Sequence, residues 1–372
     1  MRKIFIGAAA ASAALAVVAA TVPADATGGH QRQGIAPIYK TVASGLHAPR
    51  QLVFSHGAMY VAEAGQGGNG TCIPGGEGPS CYGATGSVTR VRDGKQRRVL
   101  KALASLSNQA DQSSPIGPSD LTVVGKHTLV LSFGLGSPPK NRKQLPKLGQ
   151  KQLGHVLSFD LSTKRFTSVG DLAAHEAKTN PIANKDSDPT GLLRVKKGWV
   201  ATDSGGNTLV SIRNGTMKTL AAFKNRMGTS PITGPAPVEF QAVPTDVVKG
   251  PDGALYISQL TGFPFIEGAA RIYRMVPGHR PKVWASGLTN VTSLAWDGNK
   301  LYAVQISDQG LAVGGPTGSL RRVFPDSSGK ASKAIAINLF APYGVAIHRG
   351  AAFVSIGTVA PTDGSVIKIP LG

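Results

Sequence analysis

The sequence predicts an all-β protein, a six-bladed β-propeller in which an N-terminal strand completes the last blade. Three observations lead to this prediction. First, the 372 residues include 47 Gly and 25 Pro, which interrupt the chain too often for long helices and suit short strands joined by turns. Second, a motif that opens an apolar strand recurs six times. Third, one strand is missing at the C-terminal end, and a matching strand lies near the N-terminus.

The repeated motif begins with Pro in five of its six copies and leads into an apolar strand. The copies are Pro49-Arg50-Gln51-Leu52, Pro118-Ser119-Asp120-Leu121, Pro189-Thr190-Gly191-Leu192, Pro244-Thr245-Asp246-Val247, Val291-Thr292-Ser293-Leu294 and Pro342-Tyr343-Gly344-Val345. Each copy is followed by a glycine turn, at Gly57, Gly125, Gly198, Gly253, Gly298 and Gly350. Glycine allows the positive φ that a tight hairpin needs, so each copy is predicted to open a β-hairpin.

Three further strands complete each predicted blade. Second strands such as Leu255-Tyr256-Ile257-Ser258 are rich in β-branched and aromatic residues, which suit a pleated surface. Third strands begin after a variable loop, as at Gly86 and Gly154, and fourth strands follow, as at Arg98-Val99-Leu100. The sixth unit has no fourth strand, but residues 40–46 closely resemble the fourth strand at residues 282–288. Insertion of this strand into the last blade would close the ring and remove an exposed edge. An open array or a pair of sandwiches is the alternative.

The N-terminus is predicted to direct export. Arg2 and Lys3 precede an apolar run from Ile4 to Ala20, and Ala24-Asp25-Ala26 matches a signal peptidase site. We therefore expect a signal peptide at residues 1–26 that is cleaved after Ala26, a flexible segment at 27–37, and a single propeller domain at 38–372. No other segment is apolar enough to span a membrane, so the mature protein is expected to be secreted or extracytoplasmic.

Export permits disulfides, and the chain has two cysteines, Cys72 and Cys81, close together in a Gly/Pro-rich stretch. We predict that they form a disulfide. Reduced thiols are the alternative, and a two-cysteine metal site is less favoured because no histidine lies in the loop.

The residues so far also resemble a known family. The N-terminal Ala-Ser-Gly-Leu strand, Glu63-Ala64-Gly65 before a Gly-rich loop, Pro244-Thr245-Asp246-Val247 with Asp252-Gly253, and Thr261-Gly262-Phe263-Pro264-Phe265 resemble the ScyD/ScyE family of secreted bacterial propellers over nearly the whole mature chain. That family is named for biosynthesis of the indolic pigment scytonemin, and its fold is similar to that of NHL-repeat and gluconolactonase-like (SMP-30-like) propellers. The resemblance implies the fold and export; it supplies no catalytic residues.

The net charge predicts an anionic neighbour. Forty Lys and Arg against twenty Asp and Glu give a formal charge of +20, and for an exported protein this favours anionic cell-envelope polymers. Nucleic acid is not expected, since basic residues are spread over every blade with few aromatic residues to stack bases. The basic segment from Lys140 to Lys151 is either disordered or a polyanion contact. We expect a monomer.

Long loops identify the predicted binding face. In a propeller, the loops between second and third strands and those between blades share one face of the central channel. That face carries the long segments 64–85, 104–117, 133–153, 173–187 and 224–243, while the opposite face has short turns. Long loops in a compact domain are often functional, so the channel mouth on this face is the predicted binding site.

Aligning the repeats places two sets of side chains near that mouth: the third motif position, and the end of each second strand. The candidates for ligand binding are Glu63, Asp120, Asp203, Asn207, Asp246, Gln259 and Gln305. Carboxylate and amide oxygens suit Ca²⁺, so Glu63, Asp120, Asp203 and Asp246 are candidate metal ligands; they would equally orient a hydroxyl-rich ligand. The alternative is that each Asp binds backbone amides beside a turn.

Three functions follow from the sequence, none with an assignable reaction. The first is an exported propeller that binds a small molecule or glycan at the channel mouth. The second is a Ca²⁺-assisted, lactonase-like hydrolase or tailoring enzyme, and whether the protein is an enzyme stays open. The third is an extracytoplasmic scaffold that binds another protein through an apolar patch at Phe240, Phe263 and Phe265.

Overall fold

The computed structural model describes residues 39–182, 186–359 and 362–371. These residues form six antiparallel sheets arranged as blades, together with one two-stranded hairpin. The prediction of an all-β, six-bladed propeller is confirmed. The predicted signal peptide and flexible segment lie outside the described residues. No helix in the described ranges is both long and apolar enough to cross a membrane.

The first strand, β1 (Lys40–Leu46), belongs to the last blade. Blade 1 contains β2 (Pro49–Ser55), β3 (Ala58–Glu63), β4 (Cys72–Gly75), β5 (Gly78–Arg92) and β6 (Lys95–Asn108). Blade 2 contains β7 (Pro118–Val124), β8 (Thr128–Phe133), β9 (His155–Asp160) and β10 (Phe166–Asp171). Blade 3 contains β11 (Pro189–Val195), β12 (Gly198–Asp203), β13 (Thr208–Arg213) and β14 (Thr216–Ala222).

A separate hairpin of β15 (Arg226–Ser230) and β16 (Gly234–Phe240) precedes blade 4. Blade 4 contains β17 (Pro244–Lys249), β18 (Leu255–Gln259), β19 (Ala270–Met275) and β20 (Lys282–Leu288). Blade 5 contains β21 (Val291–Asp297), β22 (Lys300–Gln305), β23 (Thr317–Val323) and β24 (Lys333–Phe340). Blade 6 contains β25 (Val345–His348), β26 (Ala351–Ile356), β27 (Gly364–Pro370) and β1. The helices are α1 (Lys147–Gln152), α2 (Leu172–Thr179) and α3 (Leu311–Gly314), with 3₁₀ turns at Pro139–Gln144 and Asp326–Ser328.

The ring is closed by β1, as the sequence predicts. This strand pairs antiparallel with β27, from Lys40 opposite Lys368 to Leu46 opposite Gly364. Arg98 of blade 1 donates a hydrogen bond to the Gly45 carbonyl at 2.8 Å, so β1 also contacts the first blade. The closing strand thus joins the two ends of the ring.

The two outer strands of blade 1 are longer than predicted. The sequence predicts a third strand at residues 86–91 and a fourth at 98–100, whereas β5 and β6 extend well beyond the blade and pair with each other there. The predicted Cys72–Cys81 disulfide is confirmed, and it joins β4 to β5. The extension packs against the Gly-rich loop, since a Cβ on Gly83 would lie 1.9 Å from the Gly67 carbonyl oxygen.

A second small core lies beneath the elaborated face. Buried Ile73, Leu106 and Leu135 pack with Leu145 and Leu153, on either side of α1. The segment from Lys140 to Lys151 is therefore ordered, and disorder is the wrong alternative. Its Arg142 binds the carboxylate of Asp171 through two hydrogen bonds of 2.7 Å. The segment has only two leucines among its four lysines, so its sequence pattern is too short to reveal which side is buried.

Hydroxyl groups link neighbouring blades around the channel, where the first strands of adjacent blades contact one another. Ser132 of β8 accepts the Asp120 N–H at 3.0 Å and donates to the Thr190 carbonyl of blade 3 at 2.7 Å. The same arrangement is formed by Thr202 with Gly191 and Thr245, and by Ser355 with Gly344 and Arg50. Buried backbone groups are satisfied in this way, so the channel wall is a rigid support for groups at its mouth.

Candidate functional site

Asp120 and Asp246, at the third motif position, lie buried at the channel. The Asp120 carboxylate accepts the N–H groups of Leu121 and Leu192, each at 2.6 Å. That of Asp246 accepts the N–H groups of Val247 and Leu294, at 2.7 and 2.8 Å. Leu192 and Leu294 belong to the next blade in each case. The interpretation of these acids as partners of backbone amides is therefore supported, and each connects two blades.

The two channel carboxylates also interact with each other. Burial raises the pKa of Asp120 well above its usual range, and the negative charge of Asp246 raises it further. Burial likewise raises the pKa of Asp246, to about 6. Two buried carboxyl groups close together disfavour simultaneous ionisation, so the charge of either one opposes ionisation of the other.

Residues at the ends of the second strands hold the loop that leads into their own blade. Glu63 accepts the His47 N–H at 2.7 Å, Gln305 accepts the Thr289 N–H at 2.9 Å, and Asp203 accepts the Asp188 N–H at 2.6 Å. Glu63 also forms an ion pair with Arg98, with 2.8 Å between Nη2 and Oε2. This shared position is therefore used to fix backbone in at least three blades.

The remaining two candidates also have partners within the protein. Gln259 accepts a hydrogen bond from Arg226 at 3.3 Å. Asn207 donates to Gln241 and accepts the Val243 N–H at 2.7 Å. Both side chains therefore hold the segment that contains the β15–β16 hairpin.

The four acids predicted as possible Ca²⁺ ligands are brought together only in part. Asp120 lies near Asp246, whereas Glu63 is bound by Arg98 and Asp203 belongs to a different group of acids. Within the ranges that the structure describes, no group of three or more His, Cys, Asp or Glu side chains is arranged to hold a metal ion. The geometry therefore gives no support to a single Ca²⁺ centre formed by these four residues.

A group of acids around Asp203 was not predicted from the sequence. It contains Glu176 of α2 with Asp186 and Asp188, just ahead of β11. Burial, reinforced by the charge of Asp203, raises the pKa of Glu176 to about 8 and that of Asp188 to about 7. Burial also raises the pKa of Asp186 to about 6. Perturbed carboxyl groups of this kind are concentrated at functional sites.

Asp188 interacts electrostatically with two further residues at the channel mouth, Arg50 and Tyr343. The Arg50 guanidinium lies over the Tyr343 ring, with its carbon 4.5 Å from the ring centroid. The positive charge of Arg50 partly offsets the raised pKa of Asp188. Tyr343 is nearly buried, and its phenol interacts with Ser119 of blade 2. We call Arg50, Asp188 and Tyr343 the mouth triad.

The sequence does carry a signal for two members of the mouth triad. The second motif position holds Ser or Thr in four copies, at Ser119, Thr190, Thr245 and Thr292. Arg50 and Tyr343 are the two departures from this pattern. Neither residue is an acid at the third position, so neither is among the predicted site residues. Asp188 precedes a motif proline, and only the fold shows that it lies close enough to Arg50 for their charges to interact.

Comparisons with known proteins concern the fold. No protein-family model and no curated protein sequence matches the chain. A catalytically inactive virginiamycin B lyase from Staphylococcus aureus with quinupristin is similar at 12% identity, with 90% of this chain and 98% of that chain covered and a TM-score of 0.44. The nidogen/laminin complex is similar at 14% identity, with coverage of 78% and 89% and a TM-score of 0.46.

PQQ-bound aldose sugar dehydrogenase from Streptomyces coelicolor is similar at 16% identity, with coverage of 68% and 82% and a TM-score of 0.37. These likenesses are too distant to indicate an activity, a ligand or a partner. The pairing of strands within this chain itself establishes a six-bladed β-propeller.

Proposed function

We propose that the protein binds a small, hydroxyl-rich ligand, such as a glycan, at the mouth triad. The observation that carries this proposal is the electrostatic interaction of Asp188, a half-buried carboxyl group, with Arg50 at the channel mouth. The mouth is also flanked by the ordered insertions of blades 1 to 3, which give a small ligand fixed walls. Ligand sites commonly combine a preformed concavity with a few convergent polar groups.

The chemistry of the triad suits hydroxyl groups. Arg50 offers only hydrogen-bond donors, while a carboxyl group with a pKa of about 7 both donates and accepts in neutral solution. A sugar hydroxyl also donates and accepts, so it matches this pair in either orientation. The Asp188 carboxylate is held in place, because its Oδ1 accepts the Leu135 N–H at 3.0 Å.

Replacing Asp188 with Asn should weaken glycan binding about tenfold, because a charge-assisted hydrogen bond contributes about 1.5–3 kcal/mol. Asn still accepts the Leu135 N–H, so the fold is retained. Calorimetric titration at pH 7 with N-acetylglucosamine, maltose and cellobiose measures this, and Asp93→Asn, an exposed acid in a turn of the opposite face, is the matched control. Equal binding by wild type and Asp188→Asn, or no binding of any sugar by wild type, would rule out the proposal.

The raised pKa of Asp188 favours a second candidate, a hydrolase that uses this carboxyl group for acid–base chemistry without a metal. Testing D-glucono-1,5-lactone beside the sugars distinguishes the hydrolase from the binding protein. Hydrolysis that is lost in Asp188→Asn would move the assignment to a lactonase-like enzyme. The Ca²⁺-assisted form of this enzyme has no ligand group in its favour among the four acids first considered.

We also propose that the mature protein is exported and rests against anionic envelope polymers. The Cys72–Cys81 disulfide suits an oxidising compartment. Lys140, Lys143, Lys147 and Lys151 are all exposed on the ordered segment that contains α1. A fixed row of lysines on the loop-rich face would contact a polyanion without the entropic cost of ordering the segment.

Changing these four lysines to Gln should lower the salt concentration that elutes the protein from immobilised heparin, since screened contacts with the polymer are lost. The control changes four exposed lysines of blades 3 and 4, Lys196, Lys197, Lys218 and Lys249, to Gln. Both variants carry the same net charge. If the two elute together, binding follows overall charge and the lysine row has no special role.

Two finer assignments stay proposals. Membership of the ScyD/ScyE family rests on the sequence resemblance alone. A scaffold function would need an apolar docking patch, and the predicted one is smaller than expected: Phe263 is 42% exposed, but Phe240 is buried beneath the Arg226 guanidinium.

A further inference from the structure

A cavity of about 350 Å³ lies between blade 6 and blade 1, on the face opposite the channel mouth. Its walls come from the first and the last blade, since Phe54 and Met59 belong to blade 1 and His348 and Phe353 belong to blade 6. No residue of the mouth triad lines it. It is therefore separate from the site of the proposed function.

The floor of the cavity is aromatic. The rings of Phe54 and His348 are stacked, with 4.2 Å between centroids and 7° between planes. Phe353 meets Phe54 edge to face at 4.7 Å. A stacked pair with an exposed face accepts a third flat ring in an offset or edge-to-face arrangement. This floor therefore suits a planar aromatic group better than a branched aliphatic one.

The rim of the cavity is basic. Arg92 and Arg349 line it from two different hairpin turns, and both are exposed. One acid, Asp93, also lines the cavity, and its ion pair with Arg92 is long, at 3.6 Å between atoms that water reaches. Exposed pairs of this kind contribute little, so Arg92 is available to an incoming anion.

We propose that this cavity binds a flat aromatic anion, whose ring stacks on Phe54 and His348 and whose carboxylate, sulfonate or phosphate group binds Arg92 and Arg349. Guanidinium groups bind such anions through paired, charge-assisted hydrogen bonds. A ligand here would touch both blades at the ring closure, so binding would also raise the midpoint of thermal unfolding.

The test uses two fluorescent probes with the same ring system. One is the anion 8-anilinonaphthalene-1-sulfonate; the other is N-phenyl-1-naphthylamine, which lacks the sulfonate. Wild type is expected to bind the anionic probe saturably. Its affinity for this probe should be at least about tenfold higher than for the neutral probe, which corresponds to about 1.4 kcal/mol. Arg92→Gln and Arg349→Asn should each lower the affinity for the anionic probe by about tenfold and leave the affinity for the neutral probe unchanged. Asn tolerates the positive φ of 49° at position 349.

Arg213→Gln is the matched control, because Arg213 precedes an Asn-Gly turn in blade 3 just as Arg92 precedes Asp-Gly in blade 1. This variant should bind both probes as wild type does. If all three arginine variants lower the affinity for the anionic probe equally, binding follows net charge and the proposal is overturned. The proposal is also overturned if Phe54→Ala is folded, as measured by circular dichroism, and binds both probes as wild type does. If Phe54→Ala is unfolded, the arginine variants alone test the proposal.

Discussion

Arg98→Met should lower the free energy of unfolding by about 3 kcal/mol, the low end of the usual cost of removing one partner from a buried ion pair, because the Glu63 side chain is fully buried and that of Arg98 is 31% exposed. Arg98 is the cation that faces the fully buried Glu63 carboxylate, and it contacts both carboxylate oxygens, at 3.2 and 2.8 Å. His47 and Thr89 also donate to Glu63, but they are neutral donors. Without Arg98 a negative charge is buried unpaired, and β1 loses its contact through the Gly45 carbonyl. Urea unfolding at pH 7 measures the change.

Arg92→Met is the control for this experiment. Arg92 pairs with Asp93 in the same blade, but the two side chains are 57% and 87% exposed, and an exposed pair contributes at most about 1 kcal/mol. The double variant Glu63→Gln with Arg98→Met removes the buried charge, so it should be more stable than Arg98→Met alone. Equal losses for Arg98→Met and Arg92→Met would contradict the buried-pair argument.

Glu176→Gln should stabilise the protein at pH 9, on the order of 5 kcal/mol, because its pKa rises from 4.5 to about 8 and each pKa unit corresponds to about 1.4 kcal/mol. Burial and the charge of Asp203 raise the pKa of Glu176 to about 8 in the folded state, although hydrogen bonds from Thr208 and Asn180 offset part of the shift. The unfolded chain releases this proton near pH 4.5. The folded state therefore binds more protons between these values, and wild-type stability falls as pH rises toward 8.

The best window for this measurement is pH 7 to 9. Burial lowers the pKa of His175 and His47 below 6.5, and this acts in the opposite direction at lower pH. Thermal midpoints of wild type should fall across the window, while those of Glu176→Gln should fall much less. Glu239→Gln, which alters an exposed glutamate of β16, should keep the wild-type slope. A slope unchanged in Glu176→Gln would mean that another group titrates.

Much of the fold is predictable because the blades repeat. Proline at the first position of the motif begins β2, β7, β11 and β17, where its fixed φ suits a strand start and its missing N–H costs nothing. The closing strand is predictable for the same reason, since β1 and β20 share sequence as well as position. The extensions of β5 and β6 are not predictable from the sequence, because they do not belong to the repeat. Their pairing depends on β4 and on glycines that let neighbouring backbone segments approach closely.

The site is less predictable because it depends on contacts between distant segments. From the sequence, Glu63 is a candidate ligand. In the fold, Arg98, 35 residues later in the chain, contacts its carboxylate. Glu176 lies on α2, a helix that is not part of the blade repeat. Its proximity to Asp203 depends on the tertiary structure and cannot be predicted from the repeats. Side chains that break a repeat, such as Arg50 and Tyr343, are more informative about such a site than those that follow it.

The pairing of β1 with β27 has a consequence for the order of events in folding. Lys40 and Lys368 are adjacent in space but separated by nearly the whole chain, so the last blade gains its fourth strand only when almost all residues are present. Such distant pairing slows folding, because the entropy of closing a long loop opposes the contact. Once it is made, the two ends lie side by side. A circularly permuted chain that joins them covalently and opens at an exposed turn would turn this long-range contact into a local one.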